Sequence, residues 1–134
     1  MTRTYHGSCH CGAVRYEADL DLSSGTGRCN CSICRKLRFW SARADLKTFR
    51  VVSGEDALVD YTFGTDSTHN LFCRHCGVHS FHRGYVEQIG GEFVSVNVAC
   101  LDDVSDEEWA AAPVRYSDGR DNNWWNAPAI TSYL

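Results

Sequence analysis

The sequence predicts a mainly β protein folded as a single domain. Several short runs alternate apolar and polar residues with a period of two, and turn-forming residues separate these runs. A clear helix signal is found at one place, near the end of the chain. The length of 134 residues suits one domain, 1–134, and is short for two. We therefore expect one β domain packed around one core.

Four runs carry the strand signal: Gly12–Ala18, Thr48–Gly54, Ala57–Phe63 and Glu92–Cys100. In the last run, every second residue from Val94 to Cys100 is expected on one face, and the residues between them on the other. His79 and His82 are also expected on a strand, where their odd separation would point them to opposite faces.

The helix signal lies in the stretch "SDEEWAAA". Ser105 can cap the first turn, Glu108 follows at the spacing of a capping box, and Pro113 comes soon after. A second short helical turn is compatible with the residues that follow Cys34.

Charge and hydropathy exclude several classes of function. The formal net charge is −4, and the basic residues are dispersed apart from "RKLR" at 35–38, which argues against a nucleic-acid binder. No apolar run approaches the roughly 20 residues of a membrane span, and the first residues lack the apolar core of a signal peptide. These observations predict a cytoplasmic protein that binds neither nucleic acid nor membranes, and they indicate no oligomeric state.

Eight cysteines are far more than such a chain ordinarily carries. The cytosol keeps thiols reduced, so a disulfide framework is not expected. Seven of the cysteines fall in three groups with the spacing of metal chelates, "CHC", "CNCSIC" and "CRHC". Cys100 stands alone and is expected to be a buried thiol on a strand.

Two of the groups combine into one complete metal site. Each pair is too small to hold zinc alone, but together they supply four sulfur ligands: Cys9, Cys11, Cys73 and Cys76. Bringing the pairs together closes a long loop at a cost of roughly 4 kcal/mol. Structural zinc contributes about 10–16 kcal/mol in peptides, which outweighs that cost. We expect this site to be structural.

The third group has no partner pair. Cys29, Cys31 and Cys34 would leave one coordination position on zinc for water or a substrate, as in catalytic sites. The alternative is that Cys100 or a histidine supplies the fourth ligand and makes this site structural too.

At this point the motifs resemble a known family. The elements "GSCHCGAVRYEA", "CNCSICRK", "FCRHCGVHSFHR" and "VSVNVACLDD" cover most of residues 7–103. In content and order they are similar to the glutathione-dependent formaldehyde-activating enzyme family (GFA), whose eukaryotic relatives include centromere protein V. The resemblance implies a β-tent fold with two zinc ions per chain. Cys9, Cys11, Cys73 and Cys76 would hold the structural ion, and Cys29, Cys31 and Cys34 the catalytic one.

The same resemblance implies a function. Family members are associated with forming S-(hydroxymethyl)glutathione from formaldehyde and glutathione, a carbon–sulfur lyase activity with glutathione as co-substrate. The interpretations kept open are a related activity on another thiol adduct, and a zinc-stabilised binding module without chemistry.

Candidate substrate contacts lie next to the trio. Glutathione has two carboxylates, and guanidinium groups bind carboxylates through paired hydrogen bonds. Arg35 and Arg38 are the candidates because they lie within four residues after Cys34, although a solvated basic loop explains them as well. The chain departs from many relatives here, with the bulky stretch "RKLRFW" after Cys34 and a distinctive tail, "SDGRDNNWWNAPA".

Overall fold

The computed structural model describes residues 1–134, which form ten β-strands and two short α-helices. The strands are β1 (Arg3–Ser8), β2 (Arg15–Leu20), β3 (Thr26–Cys29), β4 (Ser41–Ala44), β5 (Arg50–Ser53), β6 (Leu58–Tyr61), β7 (Thr68–Cys73), β8 (Phe81–Val86), β9 (Gly91–Asn97) and β10 (Val114–Ser117). The helices are α1 (Ser32–Leu37) and α2 (Asp106–Ala111). Single 3₁₀ turns join several of these elements.

The strands form two sheets. One sheet has the order β1-β2-β5 and the other has the order β10-β3-β4-β9-β8-β7-β6. All pairs are antiparallel except β10 with β3. The parallel pairing places Ser117 beside Cys29, so the chain after β10 leaves the sheet next to the three-cysteine segment.

A shared core joins the two sheets. Val94, Val96 and Val98 are fully buried, as the alternation in the sequence predicts. Three aromatic rings from β2, β8 and the segment before β5, Tyr16, Phe81 and Phe49, pack with their centroids 4.9–5.6 Å apart. Burial of such large apolar groups is the main favourable term that holds the sheets together.

The four predicted strands are all present, as β2, β5, β6 and β9. Strand β9 ends at Asn97, three residues before the predicted end, because the Asn97 side chain accepts a hydrogen bond from the Ala99 amide and starts a 3₁₀ turn. The mainly β class predicted from the sequence is confirmed. Strands β1, β3, β4, β7 and β10 lie outside the four predicted runs.

The helix near the end of the chain begins as predicted. The Ser105 hydroxyl accepts a hydrogen bond from the Glu108 amide at 3.1 Å. The capping box is only half formed, because the Glu108 carboxylate turns away and accepts hydrogen bonds from Arg3 and Tyr5. Glu108 therefore ties α2 to the first strand. The structure contains no helix with the length and apolar character that crossing a bilayer requires.

Candidate metal centre

The two pairs of cysteines predicted to combine do meet. The sulfur atoms of Cys9, Cys11, Cys73 and Cys76 all lie within 4.8 Å of one another. Cys11 Sγ is 3.7 Å from both Cys9 Sγ and Cys73 Sγ. Four thiolates arranged tetrahedrally around zinc, with Zn–S bonds of about 2.3 Å, are about 3.8 Å apart. The donor set therefore fits a tetrahedral zinc ion.

The backbone turns at both cysteine pairs direct amide groups toward the sulfurs of this four-sulfur site. The amides of Val14 and His75 donate hydrogen bonds to the sulfurs of Cys9 and Cys73 at 3.3 and 3.4 Å. Gly12 and Gly77, which each follow the second cysteine of a pair, adopt φ values of 80° and 78°. A side chain is disfavoured in that conformation, so glycine allows each loop to fold its amides back toward sulfur. Amide donors stabilise the thiolate form that binds metal.

The three-cysteine segment forms a second cluster. Cys29 ends β3, Cys31 precedes α1 and Cys34 lies in its first turn, which brings their sulfurs within 4.8 Å of one another. All three are partly buried. The Cys31 amide donates to the Cys29 sulfur at 3.3 Å. A metal ion held here would have three protein sulfurs and one further position.

Hydrogen bonds between the sulfurs set the protonation of this trio. Donation from Cys29 and Cys34 holds the pKa of Cys31 well below its ordinary value. The same hydrogen bonds raise the pKa of the other two thiols. Thiolates are the form that binds metal, so binding of a divalent ion would release the remaining thiol protons of the trio.

No fourth metal-binding side chain joins the trio. Neither cluster includes Cys100 or any histidine. The Cys100 sulfur instead contacts the backbone carbonyl of His79 at 3.8 Å, and burial raises the pKa of this thiol to about 11. The proposed alternative, in which Cys100 or a histidine completes the site, is not what the structure shows.

The histidines of "GVHSFHR" contradict the prediction that they point to opposite faces. His79 lies before β8, where the strand alternation does not yet apply, and its Nδ1 is 3.0 Å from Nε2 of His82. The His82 ring is 5% exposed and stacks on Phe39, with the ring centroids 4.2 Å apart. Neither histidine belongs to either cysteine cluster.

A segment after β10 covers Cys29. A Cβ atom placed on Gly119 would lie 2.6 Å from the Cys29 sulfur and 2.4 Å from the Trp124 ring, so the Gly119 backbone sits directly against both. Two hydrogen bonds of the Asn30 side chain hold this segment in place. Its Nδ2 donates to the Asp118 carboxylate at 2.8 Å, and its Oδ1 accepts from the Arg120 backbone amide at 3.0 Å. Sequence reasoning missed Asn30 and Gly119; the only signal in the sequence was an asparagine between two ligand cysteines.

The predicted arginines lie beside the trio. Arg35 and Arg38 line a small cavity together with Cys29, Cys34, Phe39, Arg28 and the C-terminal residues Tyr133 and Leu134. Arg38 adopts a left-handed conformation, and its Nη1 donates to the Tyr133 carbonyl at 2.9 Å. The cavity volume is about 10 Å³, the space of about one water molecule. The tail therefore occupies this side of the trio.

These features define a class of protein: a mainly β fold with one closed four-sulfur cluster and one three-sulfur cluster beside a cavity. A family model described as "Glutathione-dependent formaldehyde-activating enzyme" matches residues 4–117. The chain belongs to this family, as its motifs predicted. All seven clustered cysteines lie within the matched range, and Gly119, Trp124 and Tyr133 lie outside it.

A solved structure supports the same fold. The crystal structure of a Rhodobacter sphaeroides protein, a structural genomics target, shares 37% sequence identity with this chain. The match covers 82% of this chain and 99% of that chain, with a TM-score of 0.69. Family and fold together support a glutathione-related function, formaldehyde-activating or related to it.

Proposed function

We propose that this protein is a zinc-dependent carbon–sulfur lyase that forms S-(hydroxymethyl)glutathione from formaldehyde and glutathione in the cytoplasm. The observation that carries the proposal is the trio of Cys29, Cys31 and Cys34, whose sulfurs cluster without a fourth protein ligand. A closed structural site uses four protein ligands, as the other cluster does, whereas catalytic zinc keeps one position free.

The two clusters would hold two zinc ions. Cys9, Cys11, Cys73 and Cys76 have the spacing of a structural site that ties β1 and β2 to β7 and the loop before β8. The trio would hold the catalytic ion. When bound, zinc lowers the pKa of a thiol in its remaining position and polarises a neighbouring carbonyl oxygen.

The reaction balances without an oxidant or reductant. The electron pair of the glutathione sulfur forms a bond with the formaldehyde carbon, and the carbonyl π electrons move to oxygen. The proton released by the thiol ends on that oxygen and gives the hydroxymethyl adduct. The reverse reaction cleaves the same carbon–sulfur bond.

The chain's own residues would bind and orient the thiol. Asn30 holds the 118–120 segment against Cys29, which excludes water from that side of the trio. Arg35 and Arg38, which line the cavity beside Cys34, would bind a carboxylate of the thiol. Arg38 now donates to the Tyr133 carbonyl, so a carboxylate reaching it would replace that contact.

The test follows both binding and chemistry. In protein reconstituted with cobalt in place of zinc, glutathione is expected to raise the sulfur-to-metal charge-transfer absorption, and S-methylglutathione is not. The Cys100→Ser variant should respond like the wild type, because Cys100 lies outside the trio. Exchange NMR with ¹³C-formaldehyde should show faster adduct formation with the zinc protein than without it.

One observation favours the second candidate, a zinc-stabilised binding module without chemistry. The tail residues Tyr133 and Leu134 leave almost no space beside Cys34. If neither the cobalt spectrum nor the exchange rate responds to glutathione, this second interpretation replaces the first.

A further inference from the structure

We propose that residues 131–134 form a gate that closes one side of the trio and must open to admit the thiol substrate. The inference rests on the proposed function, since it concerns access to the coordination position that the three cysteines leave free. Two residues of the gate, Tyr133 and Leu134, line one cavity together with Cys29 and Cys34. Its volume of about 10 Å³ holds about one water molecule. A thiol needs room for a sulfur atom and the carbon that carries it, so the gate has to move before a thiol enters from this side.

A neighbouring segment that also lies against the trio is firmly held. In residues 118–126, Asp118 accepts a hydrogen bond from the Asn30 side chain at 2.8 Å, and the Arg120 amide donates to the same side chain at 3.0 Å. The Asp118 amide also donates to the Asn126 carbonyl at 3.0 Å. This segment is therefore a fixed wall of the site.

The gate is held by far fewer contacts. Residues 127–134 make no backbone hydrogen bond to any other part of the chain, and the one such bond among them joins the Leu134 amide to the Thr131 carbonyl at 2.9 Å. A single side-chain hydrogen bond links the gate to the rest of the protein, from Arg38 Nη1 to the Tyr133 carbonyl at 2.9 Å. Tyr133 is 40% exposed, and none of residues 127–134 is buried. A segment with so few buried contacts opens locally at a small cost in free energy.

The charges around the cavity favour opening by an anionic thiol. Arg28, Arg35 and Arg38 line the cavity, and the ion pairs of the protein all involve other residues. In the closed state Arg38 donates to a neutral carbonyl group. A carboxylate in the same place would accept a charge-assisted hydrogen bond, which is about twice as strong. A thiol that carries a carboxylate therefore replaces the contact that the gate loses, and a neutral thiol does not.

Competition between gate and thiol gives a quantitative expectation. When a ligand binds only the open state, the apparent Kd equals the Kd of the open state divided by the open fraction. A change that weakens the gate should therefore tighten the binding of every thiol by the same factor. The gate variant Tyr133→Ala/Leu134→Ala removes both side chains and keeps the backbone carbonyl that Arg38 binds. Loss of their apolar contacts should tighten thiol binding about fivefold or more.

The experiment measures thiol binding and access separately. The cobalt-substituted full chain is titrated with glutathione and with 2-mercaptoethanol, a thiol without a carboxylate, while the charge-transfer band is followed. In the gate variant the apparent Kd should fall by the same factor for both thiols. Iodoacetamide is too large for a cavity of one water molecule, so it should alkylate Cys34 faster in the metal-loaded gate variant than in the wild type. Mass spectrometry locates the alkylated residue.

Trp125→Ala/Ile130→Ala is the matched control. It also removes one aromatic and one aliphatic side chain from the same end of the chain. Trp125 and Ile130 are 74% and 65% exposed, and neither lines the cavity. This control should bind both thiols and react with iodoacetamide like the wild type. Cobalt content and thermal unfolding of each variant report whether the fold is intact.

Arg38→Ala separates the two roles of this arginine. It removes the hydrogen bond that holds the gate, so 2-mercaptoethanol should bind more tightly than to the wild type. It also removes a candidate carboxylate contact, so glutathione should gain less than 2-mercaptoethanol. Unchanged or weaker binding of 2-mercaptoethanol would overturn the assignment of Arg38 as the residue that holds the gate.

Each outcome of the gate variant has one meaning. Tighter binding of both thiols by a common factor, with faster alkylation of Cys34, supports the proposal. Unchanged affinity and alkylation, tightening of one thiol alone, or equal changes in the control overturn the gate and leave the proposed function standing. A cobalt spectrum that responds to neither thiol in any variant overturns the proposed function. Faster alkylation of Cys34 would then retain residues 131–134 only as a cover of the trio, without a role in substrate entry.

Discussion

Replacing Asn30 with alanine tests how the segment after β10 is held against the trio. Asn30 is 1% exposed and lies between Cys29 and Cys31. Its amide group makes two hydrogen bonds to that segment, one to the Asp118 side chain and one from the Arg120 backbone. Alanine removes both hydrogen bonds and leaves a largely buried Asp118 carboxyl group without this donor.

The structure sets the size of the effect. A hydrogen bond to a charged group contributes about 1.5–3 kcal/mol, and a neutral one about 1 kcal/mol. The Asn30→Ala variant is therefore expected to lose about 3 kcal/mol of unfolding free energy. For a chain of this length, that loss lowers the Tm by about 10 °C.

Thermal unfolding of the zinc-loaded protein measures the loss, with Asn126→Ala as the control. Asn126 is an exposed asparagine of the same segment whose side chain bonds only Asn123, and its replacement should cost less than about 0.5 kcal/mol. Alkylation of the metal-free protein, mapped by mass spectrometry, should also modify Cys29 faster in Asn30→Ala. Equal Tm values for the two variants, with unchanged alkylation of Cys29, would refute the inference that Asn30 holds the segment after β10 against Cys29.

Three further predictions concern metal and pH. Elemental analysis should find two zinc ions per chain. Finding a single zinc ion per chain, or iron in place of zinc, would contradict the interpretation that both clusters bind zinc. Cys76→Ala should destabilise the fold by several kcal/mol, whereas Cys31→Ala should leave a folded chain that binds the zinc ion of the trio more weakly. Equal losses of Tm in the two variants would contradict the assignment of one structural and one catalytic site. Burial lowers the pKa of His82 to about 3, below the value of about 6.5 in the unfolded chain. The unfolded state then binds the extra proton, so stability falls as pH drops below about 6.5, by about 2 kcal/mol at pH 5. Denaturant titrations at pH 7 and 5 should therefore show a loss of stability about 2 kcal/mol larger in the wild type than in His82→Phe.

Much of the metal chemistry is readable from local spacing. Cys29, Cys31 and Cys34 approach one another because a strand end, a two-residue step and the first turn of α1 bring them together, and all of this is encoded within six residues. The alternation of Val94, Val96 and Val98 likewise predicts the buried face of β9, because side chains of a strand alternate regardless of what the strand packs against.

Contacts between segments that are distant in the sequence could not be predicted from local residue spacing. Asn30 meets Asp118 across 88 positions of sequence, and no local pattern indicates that a short parallel strand would bring them together. His79 and His82 contradict the alternation rule because β8 begins only at Phe81.

The sequence by itself determined which residues can bind metal and which strand faces are apolar, since ligand spacing and strand alternation are properties of a few neighbouring residues. Tertiary structure alone decided that Cys100 stays outside the trio and that the Gly119 backbone covers Cys29. Those arrangements depend on strand order and register across the seven-stranded sheet. Register is set by the joint burial of all the strands, so no single segment encodes it.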